Sequence, residues 1–399
     1  MSWKEIELGN AIHVKHGFAF KGEYFANEGN FIVLTPGNFY EEGGFRARPG
    51  KDRFYASDVP DSYILDENDL IVAMTEQGAG LLGSSALVPD SNRYLHNQRI
   101  GLVDQINEEV LDRFFLYYLF NTRDVRGQIS GSASGTKVRH TAPERIYRVR
   151  ARVPEVTKQK AIAQTLKVYD DLIINSKRRI ELLEQSARLL FQEWFIRLRY
   201  PGHEHDKVVR GVPEGWSRPR FSDLAEFING FAFKPHHWGN AGLPIVKIPE
   251  LKDGIGSNTP KYSGSGVSDK YKICCGDLLF SWSGTLAVEF WVEEDAYLNQ
   301  HLFLVKPYGC PGAAFLLLAL RDSIPAFMSL AVGATMKHIR RSALDELRVL
   351  VPPEHLLVEF ETEVNDIYSM VVNLRRQNNC ISRARGLLLP RLMDGRVTV

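Results

Sequence analysis

Apolar residues along this chain fall into two kinds of pattern, and each occurs twice. Between positions 162 and 194 they advance in alternating steps of four and three: Ile162, Leu166, Tyr169, Ile173, Ser176, Ile180, Leu183, Ala187, Leu190 and Trp194. The same steps recur 198 residues later as Phe360, Val364, Ile367, Val371, Leu374, Asn378, Ile381, Arg385, Leu388 and Leu392. A seam held in one register over that length predicts a coiled-coil helix, with Ser176, Asn378 and Arg385 as its polar breaks. Ahead of each helix the apolar runs shorten to four or five residues bounded by turn formers, which predicts strands. Phe31 to Leu34, Leu70 to Met74 and Ile100 to Val103 have equivalents at Ile245 to Ile248, Leu278 to Trp282 and Leu302 to Val305. Helices are predicted at Leu111 to Phe120 and Ala313 to Ala319.

The duplication extends to particular residues, at offsets that change along the chain. Trp3, the pentapeptide GFAFK at Gly17 to Lys21, and Ile32-Val33 return 213 residues later as Trp216, Gly230 to Lys234, and Ile245-Val246. Asp69-Leu70 and Asn97-Gln98 return after 208 and 202 residues as Asp277-Leu278 and Asn299-Gln300, and Val153-Pro154 returns after 198 as Val351-Pro352. The offset therefore shrinks by 15 across the α/β part and not at all along the helix. Loops absorb such changes readily, whereas the length of the helix is constrained. The expected organisation is an α/β domain at 1–152, a helical region at 153–200, a linker at 201–215, a second α/β domain at 216–350 and a second helical region at 351–399. The expected fold class is α+β: two similar α/β domains joined by two long antiparallel helices forming a coiled coil, a pseudo-two-fold internal repeat. If the axis passes near position 178, Ser176 falls opposite Asn378 and Ile180 opposite Leu374. The acidic start of the second helix, Glu354 to Asp366, then runs beside the basic end of the first, Arg188 to Arg199. Burial of each helix against its own domain is the alternative.

Composition narrows the class. A chain of 399 residues that is 44% hydrophobic and 24% charged can bury more than one core and reads as ordered. The start MSWKEIEL has no basic segment followed by an apolar one, and no apolar run approaches the roughly 20 residues of a membrane span, so a cytoplasmic protein is expected. Cys274, Cys275, Cys310 and Cys380 all lie in the second copy. A disulfide or zinc framework of the repeated unit would have been duplicated with it, so free thiols are expected. The net charge of +1 carries no nucleic-acid signal, and any such footprint must come from local clusters.

Several clusters qualify. The segment Ser130 to His140 contains no acid and supplies Gly131, Gly135, Lys137, Arg139 and His140; its counterpart carries Lys337, His338, Arg340 and Arg341. Phosphate contact, which fixes register without reading bases, is favoured over a plain surface turn. GSASGTK only superficially resembles a nucleotide-binding loop, because three residues rather than four separate its glycines and Thr136 precedes the lysine. Lys21 and Lys234 end the GFAFK segments, whose glycine and phenylalanines read as core; each lysine is either a phosphate ligand or a solvated end. Asn97, Gln98, Asn299 and Gln300 carry amides able to bond adenine bidentately, although their repetition counts against them as discriminators. Residues that tell two half-sites apart should differ between the copies, which singles out Gln77, Arg99, Lys252 and Ser281. Lys177, Arg178 and Arg179, with Arg375 and Arg376, form a basic cluster suited to spacer DNA or an acidic partner; a solvated helix face is the alternative. Arg148, Arg150 and Arg152 share one face of a strand, for phosphates or as its wet side.

Taken in order, the duplicated GFAFK segments, the loops GTKVRH at Gly135 and GATMKHIRR at Gly333, and the Val-Pro-initiated helices resemble the specificity subunit of type I restriction-modification systems. The segment RYPGHEHDKVVRGVPEGW ending at Trp216 and the terminal LLLPRLMDGRV extend the resemblance over essentially the whole chain. It implies two target recognition domains, each reading one half of a bipartite site on double-stranded DNA, joined by two helices acting as a ruler. A helix from Ile162 to Trp194 rises about 48 Å, which corresponds to roughly 14 base pairs. The resemblance also implies that catalysis resides in partners: two methyltransferase subunits using S-adenosylmethionine, and two restriction and translocase subunits using ATP and Mg2+. Phe191, Trp194, Phe195 and Leu387 to Leu389 are candidates for docking them, with burial between helix and domain as the alternative.

The residues agree with a non-catalytic role. VPPE at Val351 lacks the ends of a D/N-P-P-Y/F methyltransferase tetrapeptide, and there is no G-x-G-x-x-G after a strand, no Walker A lysine and no paired His/Cys metal spacing. Two other classes stand beside this reading. A self-sufficient bipartite DNA-binding regulator would bind its site tightly without methyltransferase subunits. An enzyme would need a titratable cluster, and the duplicated segments repeat no such Asp, Glu or His constellation.

Overall fold

A computed structural model describes all residues except 1–2, 78–79, 257, 265 and 334–337. The chain forms two compact units, Met1–Asp171 with Ile381–Val399, and Leu172–Cys380. In the first, four antiparallel strands run in the order Ile12–His16, Ile100–Ile106, Leu70–Ala73 and Ser85–Leu87. A second sheet holds Phe25–Ala26, Phe54–Tyr55, Phe31–Val33, Tyr94–Leu95 and Ile64–Leu65, with the Phe31–Val33 and Tyr94–Leu95 pair parallel. The second unit repeats the first order as Ala225–Asn229, Leu302–Pro307, Leu278–Ser281 and Ala287–Phe290, and the second, without a counterpart of Phe25–Ala26, as Lys261–Tyr262, Leu243–Val246, Ala296–Leu298 and Lys272–Ile273, again with one parallel pair. The first two steps of the offset fall in connections between sheet strands, 34–53 against 247–260 and 74–84 against 282–286, and the last four residues fall between Gln98 and Val153.

The predicted elements form with shifted ends. Leu111 is buried ahead of the helix Arg113–Phe120, because Asp112 caps it by accepting the Phe115 amide. The strand expected to reach Ile248 stops at Val246. Pro249 sits in the first turn of a helix Ile248–Asp253, and the Lys247 amide donates to Glu250 Oε2 at 3.0 Å. Strand Arg150–Val153 alternates as predicted, with Arg150 and Arg152 exposed and Ala151 and Val153 buried. Arg148, expected on the same strand, instead caps the helix Pro143–Tyr147 and is exposed, and all four cysteines are exposed free thiols.

Two long antiparallel helices, Val156–Phe191 and Glu354–Met393, complete both units. None of the predicted seam positions on either helix is exposed. The first unit buries Ile162 and Leu166 from the start of the first helix together with Leu389, Leu392 and Met393 from the end of the second. The second unit buries Ala187, Phe191 and Trp194 from the end of the first helix with Phe360, Val364 and Val371 from the start of the second. A widened turn at Gln192–Ile196 lets the adjacent Trp194 and Phe195 both reach that core. Phe191, Trp194 and Phe195 are therefore core residues, and the alternative to docking applies to them; of the second group only Leu387 is exposed.

Each unit locks the two helices with ions as well. In the first, Arg385 Nε lies 2.7 Å from Asp170 Oδ1, and the Tyr118 hydroxyl donates to Asp170 Oδ2 at 2.7 Å. In the second, Arg375 bridges Glu184 at 2.7 Å and Glu289 at 3.1 Å, and Arg321 meets Glu289 at 2.8 Å. Trp194 and Phe360 have ring centroids 5.6 Å apart, which agrees with the register that sets Ser176 opposite Asn378. The same register runs the basic end Arg188 to Arg199 beside the acidic start Glu354 to Asp366, as expected, although the ion pairs formed there are local. Arg197 and Arg199 pair with Glu193 of their own helix, and Glu361 accepts the Gly312 amide at 2.6 Å.

The duplicated motifs turn out to be one contact. Phe18 bridges Asn97, donating its amide to the His96 carbonyl at 2.8 Å and accepting from Gln98 at 3.0 Å. Phe231 does the same with Leu298 and Gln300 at 2.8 and 2.9 Å. The glycine is required by this approach, since a Cβ at Gly17 would lie 2.1 Å from the Asn97 carbonyl oxygen and one at Gly230 would lie 2.2 Å from that of Asn299. GFAFK and Asn-Gln recur together because each copy needs both halves of this clasp. Gly17→Ala is expected to destabilise the first unit by about 1–3 kcal/mol, the cost of overpacking against backbone. Gly22→Ala, with open space around its Cβ, serves as the control; equal denaturation midpoints for the two variants would contradict the clasp.

Candidate nucleic-acid interface

In each unit the central sheet runs on past its regular strands into an irregular end, and most of the candidate residues lie there. In the first unit the Met74 amide donates to the Arg99 carbonyl at 3.1 Å, and the Thr141 amide to the Met74 carbonyl at 2.9 Å. Arg139 and His140 then pair antiparallel with Glu76 and Thr75. In the second unit the Trp282 amide donates to the His301 carbonyl at 3.3 Å, the Ile339 amide to the Trp282 carbonyl at 3.0 Å, and His338 bridges Ser283. The same backbone lattice thus carries Met74, Glu76 and Arg99 in one copy and Trp282, Gly284 and His301 in the other, with Met74 and Glu76 buried and Arg99 exposed. The basic segments fold back on themselves through Ser134–His140 and Val332–His338 bridges. Gly135 turns its arm at φ +100, where a Cβ would lie 2.0 Å from the Val138 carbonyl.

The sequence-nominated side chains divide by what they already hold. Gln77, Gln98, Arg99, Lys137, Arg340 and Arg341 are exposed at or next to these sheet ends, as is His140, whose Nδ1 lies 3.2 Å from Thr75 Oγ1. His338 is half-buried, and Lys337 lies outside the described residues. Arg139 is engaged internally, 3.1 Å from Glu76 Oε1 and donating to the Ser130 carbonyl. Asn97 accepts the Arg99 amide at 3.0 Å, Asn299 is buried, and Gln300 Nε2 lies 3.4 Å from His301 Nε2. Ser281 is fully buried and donates to the Thr285 carbonyl at 2.5 Å, so its hydroxyl faces inward. Lys21 and Lys234 are exposed beside the clasp, and Lys252 is exposed on the helix Ile248–Asp253. Lys177, Arg178, Arg179 and Arg376 are exposed on the long helices, whereas Arg375 is taken up by Glu184 and Glu289.

Residues at the sheet ends that pattern reading passed over include Trp282, whose Nε1 donates to Asn229 Oδ1 at 3.0 Å and whose ring lies 5.6 Å from that of His301. It follows the strand Leu278–Ser281 where the first copy has Met74, a contrast visible once the copies are aligned. Among the described residues no group of His, Cys, Asp or Glu could hold a metal ion, and no helix is long and apolar enough to cross a membrane.

Residues 1–185 and 213–355 match the family model of the type I restriction modification DNA specificity domain. The chain belongs to that family. It is 24% identical over 304 residues to the specificity subunit of the type I restriction enzyme MjaIX of Methanocaldococcus jannaschii, covering 71% of this chain and 69% of that one. It is 23% identical to the EcoKI specificity subunit of Escherichia coli K12, covering 99% of this chain and 89% of that one. The crystal structure of the S subunit of the type I system of M. genitalium shares the fold at a TM-score of 0.60 and 14% identity, over 98% of this chain and 96% of that one. As a type I specificity subunit, the chain carries its two matched family domains on the two duplicated bodies described above.

One residue of the clasp differs between the two domains in a way that titrates. His96 is fully buried, with Nε2 2.8 Å from the Ile100 carbonyl and no partner for Nδ1; Leu298 occupies the equivalent place in the second copy. Burial pushes the imidazole down to about 4, against a smaller upward pull from the Ile100 carbonyl. The unfolded chain therefore takes up a proton below its ordinary value of 6.5 that the folded chain refuses until about 4. Stability from this group is full above the unfolded value and falls as the pH drops through that window, by about 3 kcal/mol in total. His96→Leu should remove that component from the pH dependence of urea denaturation between pH 7 and pH 4.5. An unchanged slope would show that His96 is not its source.

Proposed function

We propose that this chain is the non-catalytic subunit that gives a type I restriction-modification enzyme its DNA sequence, reading the two halves of a bipartite, asymmetric site. The observation that carries the reading is the pair of sheet ends: one backbone lattice built twice, carrying the exposed Gln77 and Arg99 in one copy and the half-buried Trp282 and His301 in the other. Identical frameworks with different side chains suit two readers of different half-sites, because base edges are discriminated by side-chain chemistry while the framework and phosphate contacts set register. Lys137, Arg340 and Arg341 supply charge for phosphates beside those side chains, and the exposed Lys21 and Lys234 extend it. The long helices, which took no insertion while the loops changed length, act as the ruler between half-sites and as the scaffold for two methyltransferase subunits and two restriction and translocase subunits. Lys177, Arg178, Arg179 and Arg376 on those helices face spacer DNA or those partners. S-adenosylmethionine, ATP and Mg2+ bind on the partners, and the chemistry of adenine methylation and DNA cleavage is theirs.

Exchange of residues 216–350 for the corresponding domain of another specificity subunit tests the reading. With the methyltransferase partner co-expressed, methylome sequencing should show one half of the methylated motif replaced and the other half retained. A motif in which both halves change, or neither does, contradicts independent readers.

A further inference from the structure

We propose that Glu76 is a positioning residue for the first recognition domain: its buried carboxylate ties two loops of the reading end together and so sets which bases the first half-site may hold. The inference rests on the reading above. Glu76 is 3% exposed. Its Oε2 accepts the amides of Leu81 and Leu82 at 2.9 and 2.8 Å, and its Oε1 meets Arg139 at 3.1 Å. The Arg139 guanidinium also donates to the Ser130 carbonyl, so one carboxylate joins the 80–84 loop to both ends of the basic arm 130–140. A second guanidinium continues the tie. Arg126 donates to the carbonyls of Leu82 at 3.1 Å, Glu41 at 2.6 Å and Gly80, which brings in the 40–44 loop.

The residues held in place by these bonds are the exposed ones. Gln77 directly follows the carboxylate, Lys137 stands at the turn of the arm that Arg139 anchors, and Arg99 lies across Met74 from the same strand. A carboxylate that accepts three charge-assisted or backbone hydrogen bonds out of water is a strong orienting group, and donors left without it are costly. Among the described residues the second copy has no such device. Its loop at this point, 282–286, is shorter, and Gly284 stands where the first copy has Glu76. Preorganisation by a buried carboxylate is therefore a property of one reader, and its loss should blur one half-site only.

Glu76→Gln keeps an oxygen to accept the Leu81 and Leu82 amides while cancelling the ionic bond to Arg139, and Arg139→Gln cancels the same bond from the other side. Each full-length variant is co-expressed with the methyltransferase partner, and methylation is compared on the native site and on sites altered in the first or the second half. Both variants should lose at least tenfold of the discrimination in the first half and keep the wild-type ratio in the second. Wild-type ratios in both halves, or equal losses in both, would overturn the proposal, the second outcome marking Glu76 as a stability residue. Failure of the wild-type complex to methylate any bipartite site would instead overturn the functional reading, and the proposal with it.

Discussion

Neither α/β body can close its core with its own helix alone, and the remainder of the architecture follows from this constraint. The first unit is finished by the start of one long helix and the end of the other, through Ile162 and Leu166 against Leu389, Leu392 and Met393. The second is finished by the complementary pieces, through Phe191 and Trp194 against Phe360 and Val364. Burial of these side chains contributes on the order of 1.5–3 kcal/mol each, so a residue inserted in either helix would rotate a whole seam out of a core. Connections such as 34–53 and 74–84 can change length without rotating a helical seam, and most of the length difference between the copies lies there. The ion pairs Asp170–Arg385 and Glu184–Arg375 add selectivity more than stability. A buried pair gains little over an apolar one, but removing one partner costs on the order of 3–5 kcal/mol, which penalises every register that leaves a charge alone.

Within each body the same logic separates what is repeated from what varies. Gly17 on the Asn97 carbonyl and Gly230 on the Asn299 carbonyl hold the second sheet to the central one, and no side chain fits there. Such contacts are needed regardless of the DNA read. Exposed side chains just beyond them, such as Gln77 and Arg99, are free to differ. The strongest asymmetry is the buried Glu76 of the first copy against Gly284 of the second.

Much of this was readable from the chain itself, for identifiable reasons. The seams have a fixed period over many turns, so their faces and the antiparallel pairing emerged, while the duplicated motifs carried the family resemblance. Element ends moved where a local cap intervened, as at Asp112 and Lys247. Phe191, Trp194 and Phe195 were ambiguous between docking and core because period alone does not say what covers an aromatic face; Phe315 and Phe360 cover this one. Arg375 and Ser281 looked available since their partners, Glu184, Glu289 and the Thr285 carbonyl, come from folding rather than from the neighbouring residues of any motif. Glu76 was invisible for the same reason: Arg139 lies 63 positions away, and a lone acid beside glycines has no pattern.

The central claim is that two readers are set at one distance by helices of fixed length. Methylome sequencing of cells carrying this chain and its methyltransferase partner tests it most directly. The account predicts one bipartite motif whose halves are separated by a gap of single, constant length. A contiguous motif, a gap of varying length, or tight site-specific DNA binding by the chain alone without any methylated motif would contradict it.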